Sequence, residues 1–148
     1  MSANKFKPLW RCPKCGERFV TKNMSHSCVK SNLKTLFSKS DPHVRKLFRQ
    51  FAAIIRSCGP AHMIPQRSKV AFQVRVRFAG CTPRRSYLVC GFWLKRRIES
   101  PRFRNVLQPM PHDYIYEVRI DSEKDFDAEF KSWILEAYAV GEQKHLVR

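Results

Sequence analysis

Alternation is the first signal along this chain. From Lys69 to Ala79, the residues Val70, Phe72, Val74, Val76 and Phe78 fall on one side of an extended strand, with Lys69, Gln73, Arg75 and Arg77 on the other. Burial of each large apolar side chain yields about 1.5–3 kcal/mol, so the apolar side needs a cover while the other side presents charge. A turn-rich loop, Gly80 to Ser86, leads into a second strand over residues 87–94, and Tyr114, Tyr116, Val118 and Ile120 mark a further alternating strand. A short edge strand is expected at residues 61–65. Residues 95–104 read as an irregular stretch dense in arginine.

Helical spacing frames these strands. Val44, Leu47, Phe48, Phe51, Ile54, Ile55 and Cys58 recur at the period of an amphipathic helix that opens at Asp41-Pro42 and stops at Gly59-Pro60. Phe126, Phe130, Trp133, Ile134, Ala137 and Tyr138 form a second stripe, with Ser122 as the expected cap and Gly141 as the end. Residues 30–40 form a polar connector with one helical turn around Leu33, Leu36 and Phe37. The expected fold class is α+β: an antiparallel sheet of three to four strands with two helices on one face, plus a small N-terminal zinc module. The other face is left partly open. The expected division is 1–30 for the module and 31–148 for the α+β domain.

That module rests on ligand spacing. Cys12-Pro13-Lys14-Cys15-Gly16 is a Cys-x-x-Cys turn, and His26-Ser27-Cys28 follows ten residues later, so Cys12, Cys15, His26 and Cys28 make a Cys3His zinc site. Phe19 stands where the core aromatic of small zinc-finger hairpins sits, but His-x-Cys is tighter than their second pair and leaves little helix to read a DNA groove. Cys58 is an alternative fourth ligand. With four protein ligands no position remains for water, so the metal is read as structural.

Charge narrows the class of partner. The 148 residues carry a formal charge of +17, and residues 1–116 hold 24 Lys/Arg against 4 Asp/Glu, while residues 117–148 hold 5 against 8. Such a one-signed field attracts polyanions, and nucleic acid is the expected partner. The candidate docking surface is the row Gln73, Arg75 and Arg77, joined by Arg84, Arg85, Arg96, Arg97, Arg102 and Arg104 from nearby loops, because the guanidinium fork suits phosphate. A small anionic ligand on the same face, held by a sensor or an enzyme, and a protein-docking role for the module are the alternatives. Tyr114 and Tyr116 offer stacking surface, although their period places them in the core.

Other chemistry is thinly represented. The sequence contains no glycine-rich phosphate loop and no serine–histidine–aspartate constellation legible from spacing, and no catalytic residue is assigned. Asp113 and Glu117 resemble an acidic nuclease cluster only faintly, and Cys81 beside Pro83-Arg84-Arg85 is a lone thiol. A hydrophobic content of 43% supports one ordinary domain with a small appendage. There is no 18-residue apolar run and no apolar core in the first residues, so a cytoplasmic chain without a membrane partner is expected. In that compartment the six cysteines are metal ligands or buried thiols rather than disulfides. Oligomeric state is not written in the sequence.

Four segments carry a family resemblance. The run from Pro42-His43-Val44-Arg45 to Phe51, that from Ile64-Pro65-Gln66-Arg67-Ser68-Lys69 to Phe78, Ser100-Pro101-Arg102-Phe103 and Ala137-Tyr138-Ala139-Val140-Gly141-Glu142-Gln143 together resemble the bacterial domain of unknown function 5655. The resemblance covers about residues 33–146, and the module in front looks like one that some members carry. It implies a cytoplasmic bacterial α+β domain and transfers no activity and no catalytic residue. Related domains occur beside DNA-processing modules, which adds to the nucleic-acid expectation by analogy.

Overall fold

The computed structural model describes residues 7–28 and 31–146. A two-stranded hairpin, β1 (Trp10–Arg11) and β2 (Arg18–Phe19), opens the chain, followed by helices α1 (Leu33–Leu36) and α2 (Pro42–Cys58). Six strands follow: β3 (His62–Pro65), β4 (Val70–Gln73), β5 (Arg77–Pro83), β6 (Leu88–Leu94), β7 (Phe103–Met110) and β8 (Asp113–Ile120). Helix α3 (Ala128–Gly141) closes the fold. All six strands form one antiparallel sheet in the order β3-β4-β5-β6-β8-β7.

The expected sheet of three to four strands is therefore corrected to six, beside a separate two-stranded sheet and three α-helices. Two physical causes account for the difference. Strand β7 lies at the sheet edge and is exposed along nearly its whole length, so it has no apolar side to alternate with a polar one. Pro109 is tolerated there, as proline is on an edge.

The second cause lies in the opening alternation, which is a hairpin rather than one strand. The backbone N–H groups of Arg75 and Val76 both donate to the Gly141 carbonyl at the end of α3, at 2.9 and 3.1 Å, and residues 74–76 turn there. Pairing passes from Phe72 opposite Ala79 to Gln73 opposite Arg77, leaving Phe78 as an extra, bulged residue. The bulge shifts the side-chain period by one, so Phe72, Phe78 and Ala79 all enter the core while Arg77 stays on the opposite face with Gln73.

Helices α2 and α3 cover one face. Helix α2 buries Val44, Leu47, Phe48, Phe51, Ala52 and Ile55, and α3 buries Phe130, Trp133, Ile134, Ala137 and Tyr138. They meet Leu88, Cys90, Phe92 and Leu94 of β6 and Tyr116, Val118 and Ile120 of β8. Phe92 stacks on Trp133 at 5.5 Å and Tyr116 at 5.6 Å, and meets Phe130 edge-on at 6.4 Å. Tyr116 is fully buried, and its hydroxyl donates to the Arg96 carbonyl and accepts from the Ile98 N–H.

Caps differ from the sequence reading in one place. Asp41 and Pro42 begin α2, without a capping bond from the Asp41 side chain. Ser122 caps a short 3-10 turn, Glu123–Asp125, whereas Asp127 caps α3 by accepting from the Phe130 N–H at 2.9 Å.

Candidate functional site

The N-terminal hairpin is a turn built to gather thiols. Gly16 takes φ +78°, a backbone that favours glycine, and its N–H donates to the Cys12 carbonyl at 2.8 Å. Cys12, Cys15, His26 and Cys28 then present ligand atoms that all lie within 4.8 Å of one another. The Cys12 and Cys28 sulfurs stand 3.8 Å apart, and His26 Nε2 lies 3.3 Å from the Cys15 sulfur and 3.5 Å from that of Cys28. A tetrahedron with arms of about 2.3 Å to sulfur and about 2.0–2.1 Å to nitrogen has edges of roughly 3.8 and 3.5 Å, so the spacing fits a metal ion. His26 Nδ1 donates to the Met24 carbonyl at 2.6 Å, which leaves Nε2 facing the sulfurs. Cys58 is outside this cluster.

Electrostatics distinguish the thiols. The N–H of Cys15, and after it that of Lys14, holds the Cys12 thiol down at about 6 against the opposing effect of burial. Burial first, then hydrogen bonding to Cys12 and Cys15, pushes Cys28 up to about 11. The Met24 carbonyl and then Cys15 raise the His26 pKa. Cys81 and Cys90 sit opposite each other on β5 and β6, fully buried, and burial holds both thiols well above the ordinary range. They are packing residues.

The nine residues of the expected docking surface disperse. Gln73 is buried, and its Nε2 donates to the Arg18 carbonyl at 2.6 Å, tying the knuckle to the sheet. Arg75 sits in the turn, where Nε donates to Gln143 Oε1 and an Nη donates to the Lys7 carbonyl, each at 2.9 Å. Arg77 is half-buried with its guanidinium 5.3 Å from the Phe19 ring centre, and burial lowers its pKa. Arg96 forks onto Glu136, Arg97 pairs with Glu99, and Arg102 pairs with Asp127 and Glu129 while lying over Trp133. Arg104 lies over Tyr87 with Arg119, and its hydrogen bond lowers the Tyr87 pKa. Arg84 and Arg85 are exposed and form no ion pair among the described residues.

Adjoining cavities run from the end of the sheet beside α1 onto its open face. At that end a basin of about 800 Å³ is lined by Leu36, Lys39, Asp41, Arg67, Thr82, Arg84 and Arg85, among others. Thr82 also lines a groove of about 200 Å³ with Gln66, Lys69, Gly80, Gly91, Trp93 and Arg77. Arg77 and Trp93 in turn line a pocket of about 280 Å³ beneath the knuckle, with Arg18, Phe19, His26 and Gln73. Sequence reasoning missed Trp93, Gly91 and Arg18. The signal for Trp93 and Gly91 was present in the strand period, which sets both on the face opposite Phe92 and Cys90. Arg18 becomes part of the surface only through the docking of the knuckle.

Gly80 and Gly91 face each other across β5 and β6 in the floor of the groove. At Gly80 a Cβ would meet the Val70 carbonyl oxygen at 2.8 Å, so packing demands glycine there. At Gly91 the nearest atoms would stand 3.6 to 3.9 Å away, an ordinary contact. Packing does not require glycine at 91.

These features define an antiparallel α+β domain that carries a Cys3His knuckle on the uncovered face of its sheet. The chain belongs to the family described as Domain of unknown function (DUF5655), whose model matches residues 33–141, from α1 to the end of α3. The knuckle precedes the matched region. No curated protein matches the chain, and no solved structure does. Among the described residues, no helix is long and apolar enough to cross a membrane.

Proposed function

We propose that this chain is a zinc-bearing module, with residues 1–30 as the metal unit and 31–148 as the α+β domain, that binds nucleic acid along the open face of its sheet. Zinc suits three thiolates and one imidazole in a closed tetrahedral set, where its role is structural: it holds the knuckle against Gln73 and Arg77. The observation that carries the binding claim is continuity. Basin, groove and pocket share lining residues from Arg84 to Arg18, and Arg18, Lys39, Arg67, Lys69, Arg84 and Arg85 along them form no ion pair among the described residues. An extended strip of free cations matches a polymer of phosphates better than a single small anion.

Fluorescence anisotropy with labelled single-stranded and duplex oligonucleotides, across a series of salt concentrations, tests the reading. Each phosphate contact contributes about −0.7 to the log–log slope for a single strand. Arg84→Ala plus Arg85→Ala should reduce that slope by roughly one to two units. Arg45→Ala plus Arg49→Ala removes the same charge from α2, away from the cavities, and should change binding less. Equal losses from both pairs would mean that the overall charge, and not this face, attracts the polymer.

A further inference from the structure

Two residues that line the pocket beneath the knuckle carry polar side-chain atoms without a hydrogen-bond partner among the described residues. Gln73 is 4% exposed, and its amide orientation is set because Nε2 donates to the carbonyls of Arg18 and Arg75 at 2.6 and 3.4 Å. Its Oε1 is buried and accepts no hydrogen bond among the described residues. Arg77 pairs with Gln73 across the strand ladder, so the two side chains rise from the same face, and Arg77 Nε is likewise buried without an acceptor. Leaving buried polar atoms unpaired costs stability, and folded proteins keep few of them. Here the residues that carry the unpaired acceptor and the unpaired donor line one pocket.

The walls suit a flat, aromatic guest. Trp93 lines both the pocket and the adjoining groove, is half-buried, and packs against no other ring among the described residues. Phe19, by contrast, is already covered by Arg77 at 5.3 Å and by the His26 ring at 4.4 Å. The bare floor at Gly91 opens the groove toward Trp93. The cavity of about 280 Å³ is too small for a duplex and ample for one base.

We propose that this pocket receives one unpaired nucleobase of a single-stranded nucleic acid, stacked on Trp93 and held at its edge by Arg77 and Gln73. Arg77 Nε donates to a ring nitrogen or carbonyl oxygen of the base, and Gln73 Oε1 accepts from the adjoining amino or imino N–H. Every base offers such an acceptor beside a donor on its pairing edge. In a duplex that edge is occupied, so the pocket discriminates single strands from double strands more than it discriminates among sequences. The inference rests on the nucleic-acid reading above and deepens it.

The test compares base-bearing and abasic polymers of equal length and charge, titrated into the metal-loaded full chain at fixed salt. The wild type should bind the dA and dC polymers about tenfold or more tightly than the abasic one, the loss expected when a base stack is removed. Trp93→Leu and, independently, the charge-conserving Arg77→Lys should each bring that ratio close to one, whereas Arg45→Ala should leave it in place. Equal affinity of the wild type for base-bearing and abasic polymers would overturn the pocket while leaving backbone binding intact. Retention of the ratio in both pocket variants would overturn it as well. If no polymer binds, the nucleic-acid reading fails; in that case adenosine or cytidine monophosphate bound by the wild type and lost in both variants would assign the pocket to a free nucleotide. Absence of polymer and monophosphate binding alike would overturn both proposals.

Discussion

On the helix-covered side of the sheet, Arg96 forks onto Glu136 and Arg102 bridges Asp127 and Glu129, whereas along the cavities of the open face and the sheet end Arg18, Arg67, Lys69, Arg84 and Arg85 form no ion pair among the described residues. The difference follows from where the acids are. Eight of the twelve acidic residues fall after residue 116, and those on α3 and the turn before it face the arginines of the segment joining β6 to β7. Exposed pairs of this sort contribute little stability, about 0–1 kcal/mol each, but they neutralise those arginines. Cations without an ion pair among the described residues remain on the knuckle, along the open face and on the outer side of α2, where Arg45, Lys46, Arg49 and Arg56 lie. Burial differs in the same sense: one face holds the aromatic core, and the other holds a Cys/His cluster that could hold a metal ion, a glycine floor and the unpartnered polar atoms of Gln73 and Arg77.

The comparison breaks most decisively at the metal. Cys12→Ser plus Cys15→Ser should lower bound zinc from one equivalent to near zero by elemental analysis, because two of four ligands are lost and structural zinc supplies on the order of 10 kcal/mol to such a small unit. Residues 31–148 should still give a dispersed amide spectrum, since the core lies wholly within them; a collapsed spectrum would show that the open face depends on the knuckle for folding. On the covered side, Phe130→Ala should cost about 3–5 kcal/mol in chemical denaturation, because Phe130 is fully buried against Phe51, Phe92 and Phe126.

The two floor glycines sharpen the contrast within one face. Gly80→Ala forces a Cβ against the Val70 carbonyl and should destabilise the fold by about 1–3 kcal/mol. Gly91→Ala should shift stability by no more than about 0.5–1 kcal/mol, in the stabilising direction, yet weaken nucleic-acid binding by raising the groove floor. Equal destabilisation by both substitutions would remove the case for a ligand at Gly91. A small effect of comparable size belongs to the Asp127 cap. The Phe130 N–H, then Arg102, hold its carboxyl below 3.8, so its stabilisation is complete above that value and is lost as pH falls through the lower folded pKa. Asp127→Ala should therefore cost about 1 kcal/mol near neutrality, and the difference in thermal midpoint from the wild type should vanish in strong acid.

Local patterns were legible along the chain and long-range ones were not. Cys12, Cys15, His26 and Cys28 are gathered within 4.8 Å because their turn is encoded over a few residues, with Gly16 supplying the positive φ. The stripes of α2 and α3, and the alternation of β6 and β8, were readable because each has one face in the core. Strand β7 was not, because an edge strand exposed on both sides has no period to betray it. Nor could the sequence show that Val74–Val76 is a turn, since the Gly141 carbonyl that takes two of its N–H groups lies more than sixty residues away. The arginines show the same limit. Composition determined the sign and size of the charge, but Arg102 meets Asp127 across 25 residues and Arg96 meets Glu136 across 40, so only the tertiary structure decided which cations were neutralised and which were left facing solvent. Charge sums along a sequence, whereas pairing depends on distance in space, and that distance is set by the packing of α3 onto the sheet.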